Sequence, residues 1–222
     1  FKTRGSLIKR FVKLLPFQLT AAQKRVLAEI MEDLEQEQPM NRLIQGDVGS
    51  GKTIVALTAL LTAVDNGTQA ALMVPTEILA EQHYLTFRKW LAPLGIRMAL
   101  RTGQRDEQTH GTDVGEPQII IGTHALLGKS VEFNRLGLLI IDEEQHFGVK
   151  HKERLKELRS NVHVLTLSAT PIPRTLQLAL TGVRELSLIT TAPVDRMAVR
   201  TFILPFDGVV VREALLRERY RG

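Results

Sequence analysis

Gly46-Asp47-Val48-Gly49-Ser50-Gly51-Lys52-Thr53 lies between a short apolar run, Arg42-Leu43-Ile44-Gln45, and residues 52–65, which have the composition of a helix. The octet matches G-x-x-x-x-G-K-[ST] in the strand-turn-helix setting that its chemistry needs. Glycines let the backbone wrap a phosphate, and loop amides together with a helix N-terminus supply positive potential. Gly46, Asp47, Val48, Gly49, Ser50, Gly51, Lys52 and Thr53 are therefore the candidate phosphate-binding residues, with Lys52 reaching the β- and γ-phosphates of a nucleotide and the Thr53 hydroxyl ligating Mg²⁺. The bland alternative, a chance glycine-rich turn, does not explain the flanking strand and helix.

Outward from the octet, apolar runs at 69–74, 96–100, 118–121, 137–141, 162–167 and 185–189 read as strands, and 20–35, 77–91, 150–159 and 173–180 read as helices. Thr20 can cap the first of these helices, which carries Val26, Leu27, Ile30 and Leu34 along one face. Strands that are apolar throughout and separated by helices predict an α/β fold, a mostly parallel sheet with helices on both faces. Right-handed crossovers then bring the strand C-termini to one edge, where open sheets bind ligands. Residues 101–117 are polar and glycine-containing and read as a loop.

The strand ending at Ile141 runs into Asp142-Glu143-Glu144-Gln145. An acid at the tip of a strand neighbouring a phosphate loop can hold the Mg²⁺ shell, and the next can orient and polarise the attacking water; Asp142 takes the first role and Glu143 the second. Taken alone, such a strand end is more often a solvated turn.

With 222 residues, 44% of them hydrophobic, the chain is long enough for one large α/β domain with a full core. It has no cysteine, which excludes disulfides and thiolate metal sites, and its six histidines lack zinc-ligand spacing. There is no apolar run of about 18 residues and no secretory signal, so a cytoplasmic protein without membrane contact is expected. The net charge of +5 is uneven: Lys2, Arg4, Lys9, Arg10 and Lys13 precede the first acid, Glu29, and Arg212, Arg217, Arg219 and Arg221 close the chain. This suits a polyanionic partner as well as it suits a solvated surface.

Further segments carry a resemblance. Pro75-Thr-Glu-Ile-Leu-Ala-Glu-Gln-His83, Gly122-Thr-His-Ala-Leu-Leu127, Asp142-Glu-Glu-Gln145, Ser168-Ala-Thr170 and Thr170-Pro-Ile-Pro-Arg-Thr175 resemble the ordered motifs of superfamily 2 helicases over nearly the whole chain. More narrowly the chain is similar to the DNA motors of the RecG and Mfd (transcription-repair coupling factor) type. Leu15-Pro-Phe-Gln-Leu-Thr20, Ser50, Pro75-Thr-Glu77 and residues 87–95 look like RecG. From about Leu136 onward, residues 142–148, 151–154, 176–182 and 211–219 look more like Mfd, as a mosaic would. The stretch 101–117 is shorter than its counterpart in either.

The resemblance implies a RecA-like P-loop NTPase domain that binds ATP and Mg²⁺. It implies that Gln23 reads adenine and that Gln145 joins Lys52, Asp142 and Glu143 in the catalytic set. Thr76, Glu77, Gln82, Gly122, Thr123 and His124 would contact the DNA backbone, and Ser168 and Thr170 would couple hydrolysis to lobe movement. Arg174 and Arg184 would face DNA or a neighbouring lobe, or only solvent. His146 could link the nucleotide to Ser168 or be a surface histidine, and Trp90 reads as helix packing rather than a base-stacking platform. Helix caps are the bland reading of the Thr76 and Thr123 segments.

The implied organisation is a basic N-terminal extension at 1–16, an ATP-binding helicase lobe at 17–193, and a linker with the incomplete start of a second lobe at 194–222. The implied activity is that of a DNA helicase or translocase in repair or recombination, acting on duplex or branched DNA. Its second lobe would supply an arginine finger, so the lone lobe would hydrolyse ATP poorly. RNA polymerase becomes a partner if the Mfd likeness governs. The rivals are a non-catalytic nucleic-acid-binding module on the same scaffold, disfavoured by intact Lys52, Thr53, Asp142 and Glu143, and a P-loop small-molecule kinase, which leaves Ser168-Ala-Thr170 unexplained.

Overall fold

The computed structural model describes residues 1–3, 5–103, 106–108 (backbone), 115–128, 131, 133–144, 147, 155, 160–170, 185–190 and 203–221. Eight strands, β1 (Asn41–Gly46), β2 (Gln69–Met73), β3 (Met98–Arg101), β4 (Asp106–Gln108), β5 (Ile119–Gly122), β6 (Leu136–Asp142), β7 (His163–Ser168) and β8 (Glu185–Ile189), form one sheet in the order β4-β3-β5-β2-β6-β7-β1-β8. Every described pairing is parallel except β3 with β4. The α/β expectation is met. Gln145, His146, Arg174, Arg184 and most of the expected helices 150–159 and 173–180 lie outside the described residues.

Strand alternation splits the core in two. Ile44, Leu72, Leu138, Ile140 and Leu165 face a layer that holds α1 (Ser6–Leu14), α2 (Ala21–Glu35), α3 (Lys52–Asp65) and α4 (Glu77–Leu91). Ala71, Met73, Ile120, Leu139, Ile141 and Val164 face the other side, with Leu126, Phe147 and Leu155. Helix α3 is buried all round from Ile54 to Val64, between the sheet and α1 and α2, which is why its sequence is apolar on every face. Trp90 packs against the same core, in line with the packing reading.

Two elements differ from the sequence reading. Residues 106–108 are not loop but β4, pairing antiparallel with β3 through Ala99–Gln108, Leu100–Glu107 and Arg101–Asp106. An edge strand is held by backbone hydrogen bonds, so a polar triplet gives no apolar signal. Residues 6–14, read within a basic extension, form α1: Phe11 is fully buried, the Leu7 amide donates to Asp65 Oδ2 at 3.1 Å, and Lys2 and Asn66 exchange hydrogen bonds of 2.7 and 2.9 Å. At the other end comes α5 (Gly208–Arg221), and residues 203–220 are exposed. No described helix is long and apolar enough to cross a membrane.

Candidate nucleotide site

The sheet order sets the site. Strand β7 lies between β6, which ends at Asp142, and β1, which ends at Gly46, so the acid box and the phosphate loop meet across the Ser168 strand end. The register confirms it: Gln45 pairs with Ser168, and Asp142 with Leu167.

Residues 47–51 turn from β1 into α3. Gly49 and Gly51 have φ of 78° and 86°, in the left-handed region that glycine reaches without strain. Gly51 is the N-cap of α3 and makes no side-chain cap bond, so the first-turn amides face the loop rather than a capping side chain. The Lys52 ammonium donates to the carbonyls of Gly46 and Asp47 at 2.6 and 3.0 Å. Burial pulls it below the ordinary lysine range, and the negative charges of Asp142, Glu143 and Asp47 oppose the shift. Thr53 is the second residue of α3, Val48 is exposed, and the Ser50 hydroxyl is buried without a hydrogen-bond partner. An uncapped helix start, a lysine on loop carbonyls and two acids within electrostatic reach fit a triphosphate with its Mg²⁺: Lys52 for phosphate oxygens, Thr53 and Asp142 for the metal.

Gln23 braces the loop. Its side chain completes a capping box with Thr20, accepting from the Thr20 amide at 2.9 Å, and its Nε2 donates to the Ser50 carbonyl at 2.8 Å. A cavity of about 340 Å³ lined by Leu15, Pro16, Phe17, Gln18, Leu19 and Lys24 lies at the segment before and at the start of α2, and Gln23 is not among its lining residues. Behind the loop, buried Arg42 of β1 forks onto Asp33 of α2 at 2.5 and 3.0 Å and donates to Ser187 of β8 at 2.8 Å. That clamp fixes α2, and with it Gln23, against the strand that feeds the loop.

At the acid box, Glu143 has φ of 50°, the one positive φ at a non-glycine residue among those described. Its amide donates to Leu167 O at 3.0 Å, and its Oε1 accepts from the Ala169 amide at 2.8 Å. Ser168 and Thr170 share a hydroxyl hydrogen bond of 2.9 Å. Thr166 donates to Glu144 Oε2 at 3.4 Å.

The residues expected to meet DNA gather at the ends of β2 and β5, which are neighbours. Thr76 caps α4 by accepting from the Leu79 amide, and Thr123 accepts from the Ala125 amide to start a short 3-10 turn (His124–Leu127). Thr76, Gln82 and His124 are exposed, Glu77 is half-buried, and Gly122 and Thr123 are buried. A Cβ at Gly122 would lie 2.0 Å from the Arg101 carbonyl, so strand packing alone requires glycine there. One neighbour of the site carries no role in the sequence reading: His83 of α4, whose Nε2 is 3.8 Å from Asp142 Oδ2. Its place three residues after Ala80 and four before Phe87, both buried, was the available signal.

A model of the DEAD/DEAH box helicase family matches residues 20–179. The transcription-repair-coupling factor of Bacillus subtilis (strain 168) is 49% identical over 219 residues, 96% of this chain and 19% of the relative. That of Escherichia coli (strain K12) is 48% identical over 227 residues, covering 100% of this chain and 20% of the relative. Among solved structures, RecG bound to a three-way DNA junction superposes with a TM-score of 0.78 at 41% identity, over 97% of this chain and 30% of RecG. Both likenesses run through both halves of the sequence. The chain spans about a fifth of the length of these curated relatives.

Proposed function

Because this chain belongs to the DEAD/DEAH box helicase family and is of the RecG and Mfd type, we propose that it is the ATP-binding first lobe of a DNA translocase, covering residues 17–193. In this reading Gly46 to Thr53 hold the phosphates of ATP, Thr53 and Asp142 hold Mg²⁺, and Glu143 orients the attacking water. Gln23, which reaches the loop through the Ser50 carbonyl, reads the adenine base. Mg²⁺ supplies charge neutralisation on the β- and γ-phosphates when bound. Thr76, Glu77, Gln82, Thr123 and His124 face the DNA backbone from the adjoining sheet edge, and residues 194–222 lead into a second lobe.

The observation that carries the reading is the bond between Glu143 Oε1 and the Ala169 amide, which ties the water-orienting acid to the Ser168-Ala-Thr170 segment within electrostatic reach of Lys52. A shift of the Glu143 carboxylate toward a water beside bound nucleotide would release the Ala169 amide and alter the seat of Ser168 and Thr170, which is what coupling hydrolysis to lobe movement requires. Identity of 49% to a transcription-repair-coupling factor against 41% to RecG supports RNA polymerase as a partner of the whole motor. ATP hydrolysis by the chain with and without forked duplex DNA tests the proposal. Low turnover that rises when a second lobe is supplied in trans is expected; high turnover indifferent to DNA would favour a nucleotide enzyme of another kind.

A further inference from the structure

Helix α4 starts at the DNA-facing edge and ends in the core. Thr76, its cap, and Gln82 are exposed and Glu77 is half-buried, whereas Ala80, Tyr84, Phe87 and Leu91 are buried on its sheet side. His83 sits at the boundary. Its side chain is 18% exposed, its ring lies against Phe87 with centroids 5.7 Å apart, and its Nε2 faces Asp142 Oδ2 at 3.8 Å. Asp142 thus stands between two nitrogen groups from different elements: Lys52 of the phosphate loop, which feels its charge, and His83 of α4. The imidazole reaches hydrogen-bond distance of the carboxylate with a shift of about 1 Å.

We propose that His83 is a positioning residue for the Mg²⁺-holding carboxylate of Asp142, carried on the helix that presents Thr76, Glu77 and Gln82 to DNA. The inference rests on the function proposed above. A carboxylate that ligates a metal is itself oriented by outer hydrogen-bonding groups, whose loss commonly weakens metal binding. A packed helix moves as a unit, so DNA seated on the first turn of α4 displaces His83 and with it the orientation of Asp142. This route through α4 is distinct from the one through Ser168 and Thr170, because it links DNA to the metal rather than the water-orienting acid to the strand end.

The test is Mg²⁺ titration of a fluorescent, slowly hydrolysed ATP analogue on the chain, with wild type, His83→Ala, His83→Gln and Lys52→Ala, in the absence and presence of a forked duplex. For His83→Ala, the Mg²⁺ midpoint moves up roughly 10- to 100-fold, while Mg²⁺-free binding stays at the wild-type value. His83→Gln, which keeps a nitrogen donor, restores most of the shift. The forked duplex moves the wild-type midpoint several-fold and leaves that of His83→Ala in place. An unchanged midpoint in His83→Ala overturns the proposal, as does a wild-type midpoint indifferent to DNA. Equal losses of Mg²⁺-free and Mg²⁺-dependent binding with a lowered melting temperature assign His83 to packing and overturn it too. Absence of Lys52-dependent binding in the wild type defeats the proposed function itself, and this inference falls with it.

Discussion

Glu143 accepts a 2.8 Å hydrogen bond from the Ala169 amide while its own backbone is held at a φ of 50°. For a residue with a side chain this conformation costs on the order of 1 kcal/mol or more. The contacts that hold it, to Leu167 O through the amide and to Ala169 N through the carboxylate, both come from the end of β7. A strained acid fastened to the neighbouring strand end fits the catalytic role proposed for Glu143 better than it fits a solvated turn.

Glu143→Gln keeps an oxygen acceptor for the Ala169 amide and removes the charge that polarises water. With a second lobe supplied in trans, turnover should fall roughly 10²- to 10⁴-fold, with nucleotide affinity and melting temperature close to wild type. Steady-state hydrolysis beside a binding titration checks this, and retained turnover would remove Glu143 from the chemistry.

Gly51→Ala places a Cβ in the left-handed region, 2.2 Å from Gln23 Nε2. Strain and clash together should cost about 1–3 kcal/mol and detach Gln23 from the Ser50 carbonyl. Both the melting temperature and nucleotide affinity should drop, as calorimetry and a fluorescence titration would report.

Arg42→Ala removes the clamp between β1, α2 and β8. Breaking a buried pair commonly costs about 3–5 kcal/mol, and a loss of about 2–3 kcal/mol is expected here because Asp33 and Glu29 retain water on one side. Denaturant unfolding measures it; a change below about 0.5 kcal/mol, the size typical of surface substitutions, would make Arg42 merely superficial.

The fold was legible where periodicity or chemistry is local. Helices read at 52–65 and 77–91 are α3 and α4 within the same bounds, because a glycine turn starts one and a threonine cap the other. The phosphate loop needed only its octet. Helix α1 carries a local signal too, with Leu7, Ile8 and Phe11 at helical spacing on its buried side and Lys9, Arg10 and Lys13 exposed; the reading as a basic extension rests on its charge and leaves that spacing aside. His83 and Asp142 come together only because β2, which leads into α4, pairs with β6, a register that no local pattern encodes.

His163 supplies a pH dependence. Burial pushes its pKa below the ordinary value near 6.5, against the opposing charge of Asp33, and its Nδ1 accepts from the Met40 amide at 3.0 Å. The unfolded chain therefore binds the proton more readily, so stability is intact above about pH 6.5 and declines as pH falls below it. Melting curves between pH 7.5 and 5.5 should show this decline, flattened in His163→Asn.

Binding of a fluorescent ATP analogue with Mg²⁺, compared between the wild type and Lys52→Ala, tests the central claim most directly. Lys52 donates to the Gly46 and Asp47 carbonyls at the mouth of the loop and stands within reach of both acids, so its loss should abolish binding while leaving the fold intact by circular dichroism. Equal binding by the two proteins, or no binding by the wild type, would contradict the assignment of this edge of the sheet as an ATP site.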